Sequence, residues 1–223
     1  MAETYGTFVV VFLAMVTYNS LISTNQSLAL IASAFAYGGS YTAMHYTLSH
    51  ISGAHFNPIV TIAATYDRRL TTKQMTNYIV AQIFGAFAAA LMIVWMTRTI
   101  SMFPYEVLGY GNLSPFQTPG SLAFVVEMFT GFFLVYVYLA VSQRRLASWT
   151  GVSIGLMMTM IVLATGFLTG GHANPARSIA SLFFMGTIGR QQLVVLSFAP
   201  IIGGLLARLF YKYLKYEDRH DVA

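Results

Sequence analysis

The sequence predicts an all-α polytopic membrane protein: six transmembrane helices and two re-entrant half-helices, arranged as an inverted repeat. Three observations predict it. The 223 residues are 57 % hydrophobic and only 9 % charged, whereas a soluble domain carries about 25 % charged residues. Residues 4–66 and 146–176 contain no Asp, Glu, Lys or Arg, which leaves room for several spans of about 20 residues each. Two further apolar pieces are too short to cross a bilayer, and both begin with Asn-Pro. This composition excludes a soluble enzyme, a disordered chain and a secreted disulfide scaffold. With no cysteine, thiolate nucleophiles and Cys-bound metals are excluded as well.

The full spans are predicted at residues 3–22, 27–50, 73–97, 121–142, 149–168 and 191–214. The first has no basic region before it and opens on Glu3, so it reads as a retained span, not a cleaved signal peptide. The short pieces, residues 57–66 and 174–184, are about 15 Å long as helices, half of a roughly 30 Å hydrocarbon core. Half-spans persist at that depth only where protein or a water-filled cavity satisfies their backbone ends. That requirement points to a pore.

Nine of the twelve Lys and Arg residues fall at Arg68, Arg69 and Lys73, at Arg144 and Arg145, and in the tail with Arg208, Lys212, Lys215 and Arg219. With six spans these positions share one side, which the positive-inside rule makes cytoplasmic, together with both termini. The net charge of +5 therefore has a membrane explanation and requires no nucleic acid. The linker at residues 101–120 carries Pro104, Pro115 and Pro119 and reads as an outer loop.

Residues 1–223 read as a single channel domain whose halves, about 1–100 and 121–214, match at four anchors. Glu3 pairs with Glu127, and Gly85 with Gly203. Gly38 and Gly155, like Asn57-Pro58 and Asn174-Pro175, pair at an offset of 117 residues. Each half holds an odd number of spans, so the second is inverted relative to the first. Such repeats place the conducting site at their interface. Gly38 and Gly155 are expected where matched helices approach closely.

The chemistry concentrates in the half-spans. Six Asn and six Pro in this chain give roughly 0.16 Asn-Pro dipeptides by chance, against two found. Asn at an N-cap with Pro at the first helical position starts a helix cleanly. Two such starts meeting tip to tip present two positive dipole ends and two amide groups. An amide that donates to a passing water turns that water's hydrogens outward, which interrupts a proton wire. Arg177 is the one cation placed within a half-span, where a charge is costly unless it faces a polar cavity. Its five donors can hold water or hydroxyls while its charge opposes cations; the competing reading is an interfacial Arg that snorkels outward.

Glu3 and Glu127 are candidates to accept N–H groups from the loops, or else plain interfacial acids. His45 and His50 either line an inner vestibule or bond a neighbouring helix. Met157, Met158 and Met160 read as packing or lipid-facing residues. An intramembrane hydrolase built on Ser40 with His45 or His50 lacks a Gly-x-Ser-x-Gly elbow. A proton-coupled transporter needs titratable groups along its path, and few are present.

Ser52-Gly53-Ala54-His55-Phe56-Asn57-Pro58 and Asn174-Pro175-Ala176-Arg177-Ser178 resemble the paired signature loops of the aquaporin (major intrinsic protein) family. The resemblance covers nearly the whole chain. It implies a right-handed six-helix bundle with two half-helices, assembled in the lipid bilayer as a homotetramer with one pore per subunit. It also implies no cofactor, no enzymatic activity, and passive conduction of water and small neutral solutes such as glycerol. The alternatives are a strictly water-selective pore and a structural or junctional protein that conducts little. By the same resemblance, the pore motifs are Asn57-Pro58-Ile59 and Asn174-Pro175-Ala176, and the constriction is Tyr37, Val162, Gly171 and Arg177. Glu3 and Glu127 support the loops, whose pore backbone comprises Gly53, Ala54, His55, Phe56, Gly170, His172 and Ala173.

Three departures stand out. Ile59 replaces the usual alanine, and almost nothing precedes Glu3. Tyr37 and Val162 stand where water-selective members often have Phe and His. Together with Gly171, which is expected to open one wall, they predict a filter that passes glycerol more slowly than water.

Overall fold

A computed structural model describes residues 1–99, 118–143, 146–184 and 186–220. The expected linker at 101–120 lies largely outside the described residues, as do Arg144 and Arg145. Eight α-helices are present among the described residues: α1 (Ala2–Leu21), α2 (Gln26–Ser52), α3 (Pro58–Tyr66), α4 (Thr72–Thr99), α5 (Gly120–Val141), α6 (Thr150–Thr169), α7 (Pro175–Phe183) and α8 (Gly186–His220). The half-spans are the nine-residue helices α3 and α7.

Among the described residues, α1, α4, α5, α6 with its preceding turn, and Gln192–Lys215 of α8 are long and apolar enough to cross a membrane. The sixth expected span, α2, is 27 residues long but does not meet that standard of apolarity. Its Ser and Thr hydroxyls are absorbed by its own backbone: Ser33 donates to Leu30, Ser40 to Tyr37, Thr42 to Gly38 and Thr47 to Ala43. It packs along α1 and α6, both of spanning length, and takes the sixth place in the bundle. The hydrolase reading also ends here, because the Ser40 hydroxyl donates to the Tyr37 carbonyl on its own helix.

The long helices of the two halves pack alike. α1 packs on α2 and α4, as α5 packs on α6 and α8; α2 against α6 joins the two sets. At that junction Gly38 and Gly155 touch. A Cβ on Gly38 would lie 2.2 Å from the Gly155 carbonyl, and one on Gly155 would lie 2.4 Å from the Gly38 carbonyl. Thr42 and Thr159, each four residues further on, bond the carbonyls of Gly38 and Gly155 at 3.0 and 3.1 Å. The second anchor pair does the same work elsewhere: Gly85 abuts the Thr4 carbonyl of α1, and Gly203 the Met128 carbonyl of α5.

Small residues let backbones meet where lipid supplies no hydrophobic drive. Gly155→Val should therefore push α2 and α6 apart and lose about 1–3 kcal/mol or more through overpacking. The measurement is a detergent-solubilised thermal melt, and an unchanged midpoint would show that this crossing is not tight.

Candidate functional site: two capped half-helices and a four-residue ring

The N-termini of α3 and α7 meet inside the bundle, and their caps explain how. Asn57 is extended (φ −153°, ψ 124°) and its Oδ1 accepts the Ile59 N–H at 3.1 Å. Asn174 Oδ1 accepts the N–H groups of Ala176 at 3.1 Å and Arg177 at 3.4 Å. Each amide nitrogen then reaches across to the other loop. Asn57 Nδ2 donates to the Ala173 carbonyl at 2.8 Å, and Asn174 Nδ2 donates to the Phe56 carbonyl at 3.0 Å. A carboxamide carries two N–H donors. One is therefore structural at each Asn, a role that sequence reasoning had reserved for passing water, and one remains.

The loops before the caps follow a matched path. Gly53, Ala54 and Phe56 have φ of 83°, 54° and 49°; Gly170, Gly171 and Ala173 have 86°, 55° and 44°. Left-handed backbone at non-glycine residues is costly and persists only where the surroundings over-determine it. Two buried carboxyl groups do so. Glu3 accepts the Ser52 hydroxyl (2.6 Å), the N–H groups of His55 (3.0 Å) and Phe56 (2.8 Å), and the Gln82 amide (2.7 Å). Glu127 accepts the Thr169 hydroxyl (2.5 Å), the N–H groups of His172 (3.1 Å) and Ala173 (3.1 Å), and the Thr130 hydroxyl (3.3 Å). Both acids lie inside the protein, 3 % and 0 % exposed, so the interfacial reading fails for each.

Each loop histidine is pinned as well. His55 Nδ1 lies 3.2 Å from Thr61 Oγ1, and His172 Nδ1 lies 2.9 Å from Ser178 Oγ. Thr61 and Thr169 were not singled out from sequence, and Ser52 and Ser178 were read there only as members of the signature loops. All four sit at the 117-residue offset that relates the Asn-Pro pairs, so the signal that would have found them was present. Gln82 has no equivalent; its counterpart is Pro200, inside α8.

Tyr37, Val162, Gly171 and Arg177 come from α2, α6, the second loop and α7, and they meet. The Arg177 guanidinium sits 5.3 Å over the Tyr37 ring. It donates to the carbonyls of Gly171 (2.9 Å), His172 (3.3 Å) and Gly170 (3.3 Å). Arg177 is 1 % exposed, so it does not snorkel. The Tyr37 hydroxyl is buried beside the Asn174 and Arg177 side chains.

Gly171 differs from expectation. A Cβ there would run into the Val162 Cα at 2.8 Å, so the missing side chain lets the loop lie on α6 instead of widening a wall. Tyr37 and Val162 have no exposed surface.

Beyond the first loop lies a cavity of about 350 Å³ whose lining includes His45, Ser49, His55, Arg69, Tyr138 and Ser142. His45 thus belongs to a vestibule, while His50 is exposed. Arg69, read from sequence only as a topology marker, lies 5.4 Å over Tyr138 and donates to Ser142 Oγ at 2.8 Å, tying the base of α3 to the end of α5. Ile59 is buried, and its extra bulk faces a glycine: Gly204 has space for a Cβ only 3.8 Å from Ile59 Cβ and 2.9 Å from Val135. Its counterpart Ala176 packs in a cluster with Ala86, the residue matching Gly204.

This geometry is that of a channel, and comparison with known proteins agrees. The family model described as major intrinsic protein matches residues 1–211. The chain is 32 % identical to an aquaporin Z of Rhodopseudomonas palustris, over 97 % of this chain and 93 % of the relative. It is 34 % identical to a glycerol uptake facilitator protein-like 6 of Lactiplantibacillus plantarum, over 98 % of each. The X-ray structure of the aquaglyceroporin from Plasmodium falciparum superposes with a TM-score of 0.81 over 94 % of this chain and 93 % of that one, at 22 % identity. The chain belongs to the major intrinsic protein family: it is a multi-pass integral membrane protein and a passive channel, not an enzyme.

Proposed function

We propose that the chain conducts water through the space between the two half-helix caps, and passes glycerol more slowly through the Tyr37–Val162–Gly171–Arg177 ring. The observation that carries this reading is the ring itself, in which one guanidinium is fixed by three backbone carbonyls and faces an aromatic ring. A permeant's oxygen is held by the Arg177 guanidinium, while its CH groups rest on Tyr37 and Val162 without stripping a polar partner of water. Further along, the second N–H of Asn57 and of Asn174 donates to a water oxygen. Two helix N-termini add positive potential there, which disfavours a proton or cation but leaves neutral water unhindered.

The full burial of Tyr37 and Val162 favours a second reading, a strictly water-selective pore, in which these side chains exclude the carbon chain of glycerol. The two readings separate in one assay: purified protein in liposomes, with water and glycerol gradients followed side by side by stopped flow. Glycerol flux above that of empty liposomes supports the permissive filter; water flux alone supports the selective one. Val162→His should cut glycerol passage about tenfold or more, the size of a steric misfit in a fitted site, and slow water far less. Equal losses would remove Val162 from the filter.

The halves, about 1–100 and 121–214, form one channel domain as inverted repeats, a reading supported by their matched Glu cradles and glycine crossings. Both termini lie in the cytoplasm, a reading supported by the basic residues Arg68, Arg69, Lys73, Arg144, Arg145, Arg208, Lys212, Lys215 and Arg219. Four copies associate in the bilayer with one pore each, and chemical cross-linking in liposomes should give a ladder ending at four.

A further inference from the structure

Outside the pore, the C-terminal end of α3 and the last turns of α8 enclose a cavity of about 380 Å³. Four of its lining residues are cationic: Arg68, Arg208, Lys212 and Lys215. The one acid on its wall, Asp67, is already engaged by the Arg69 guanidinium at 2.8 Å. Among the described residues, the cavity therefore concentrates positive charge that its lining carboxylate, already paired, does not balance.

Two of the cations are held in place. Arg208 donates to the Tyr66 carbonyl at 2.8 Å and stacks 5.5 Å over the Tyr66 ring, and its buried Nε has no acceptor. Lys215 donates to Gln143 Oε1 at 3.1 Å and lies 4.9 Å over Tyr211. Arg68 and Lys212 are exposed. Positioned and exposed cations around one space, with an unanswered donor among them, form a receptor for a multivalent oxyanion.

Its depth fits such a ligand. α8 carries no charged residue from Gln191 to Ala207 and then gains Arg208, Lys212 and Lys215, so the cavity lies where hydrocarbon gives way to headgroups, with Tyr66 and Tyr211 at the interface. We propose that this cavity binds a phosphate-bearing anion, of which an anionic lipid headgroup and free phosphate are the two available sources. Bound there, the phosphoryl oxygens bridge α8 to the segment 66–68, whose next residue, Arg69, lines the inner vestibule.

The test uses the full chain in detergent, titrated with phosphatidylglycerol and with phosphatidylcholine and read by native mass spectrometry. Phosphatidylglycerol should bind preferentially. A cation near a headgroup contributes about 1 kcal/mol, so Lys212→Gln should weaken binding about fivefold and the Arg68→Gln, Lys212→Gln pair about thirtyfold. Lys73→Gln removes a charge near the same face but outside the cavity lining, and should leave binding within about twofold. Water conduction by the double variant reports that it is folded, and Lys212→Gln alone, an exposed position, carries the test if it is not.

Inorganic phosphate that displaces the lipid identifies the free anion as a competent source. Failure to displace assigns the site to the headgroup, and either result supports phosphoryl recognition. Equal binding of both lipids, or equal losses in Lys73→Gln and Lys212→Gln, overturns the site.

Discussion

Liposomes carrying the Glu127→Ala protein should lose nearly all protein-dependent water flux, and the protein should melt well below wild type. Glu127 accepts two backbone N–H groups, from His172 and Ala173, and the hydroxyl of Thr169. With the carboxyl gone, two buried N–H groups lack an acceptor, at about 1–3 kcal/mol each. A protein whose net stability is about 5–15 kcal/mol feels such a loss strongly.

The damage is local before it is global. The same N–H groups hold the loop whose Ala173 carbonyl accepts Asn57 and whose Gly171 and His172 carbonyls accept Arg177. A loop released there lets go of both the cap pair and the ring. Glu127→Gln, which keeps one carbonyl oxygen, should fall between Ala and wild type. If Glu127→Ala conducts water at the wild-type rate, the carboxyl is a bystander and the loop is held by other contacts.

The second large effect is expected at Arg177. Arg177→Val should raise glycerol flux and open a leak of protons or small cations, read with a pH dye trapped in the liposomes. A unit charge about 4 Å from a permeant, at an effective dielectric near 20, opposes a cation by about 4 kcal/mol, roughly a thousandfold in rate. Water in the lumen screens part of that, so the expected leak is at least about tenfold above wild type. Water flux should persist, because the Asn57 and Asn174 donors are untouched. Undiminished proton exclusion in this variant would transfer the barrier entirely to the helix N-termini.

Much of this fold was legible from local signals. Gaps in charge marked the spans, and the predicted limits fall within a residue or two of α1–α7. Only α8 runs longer, from Gly186 to His220. Asn57-Pro58 and Asn174-Pro175 announced helix starts because capping is a property of adjacent residues. Gly38 and Gly155 announced a crossing because only hydrogen side chains allow backbones so near. Spanning length and apolarity, however, understate α2, whose polar side chains are satisfied within the helix and against its neighbours.

What composition and spacing determined was therefore what neighbours in the chain carry: the helices, their caps, and the 117-residue offset that relates the two Asn-Pro pairs. What the tertiary structure decided was where the polar groups of those elements find partners. Asn57 donates across 116 residues to Ala173, Gln82 joins Glu3 and Thr61, and Gly171 yields space to Val162 instead of to a lumen. A hydrogen bond requires its atoms within about 3 Å at the right angle. Between residues this far apart in sequence, only the packing of helices on helices sets that distance.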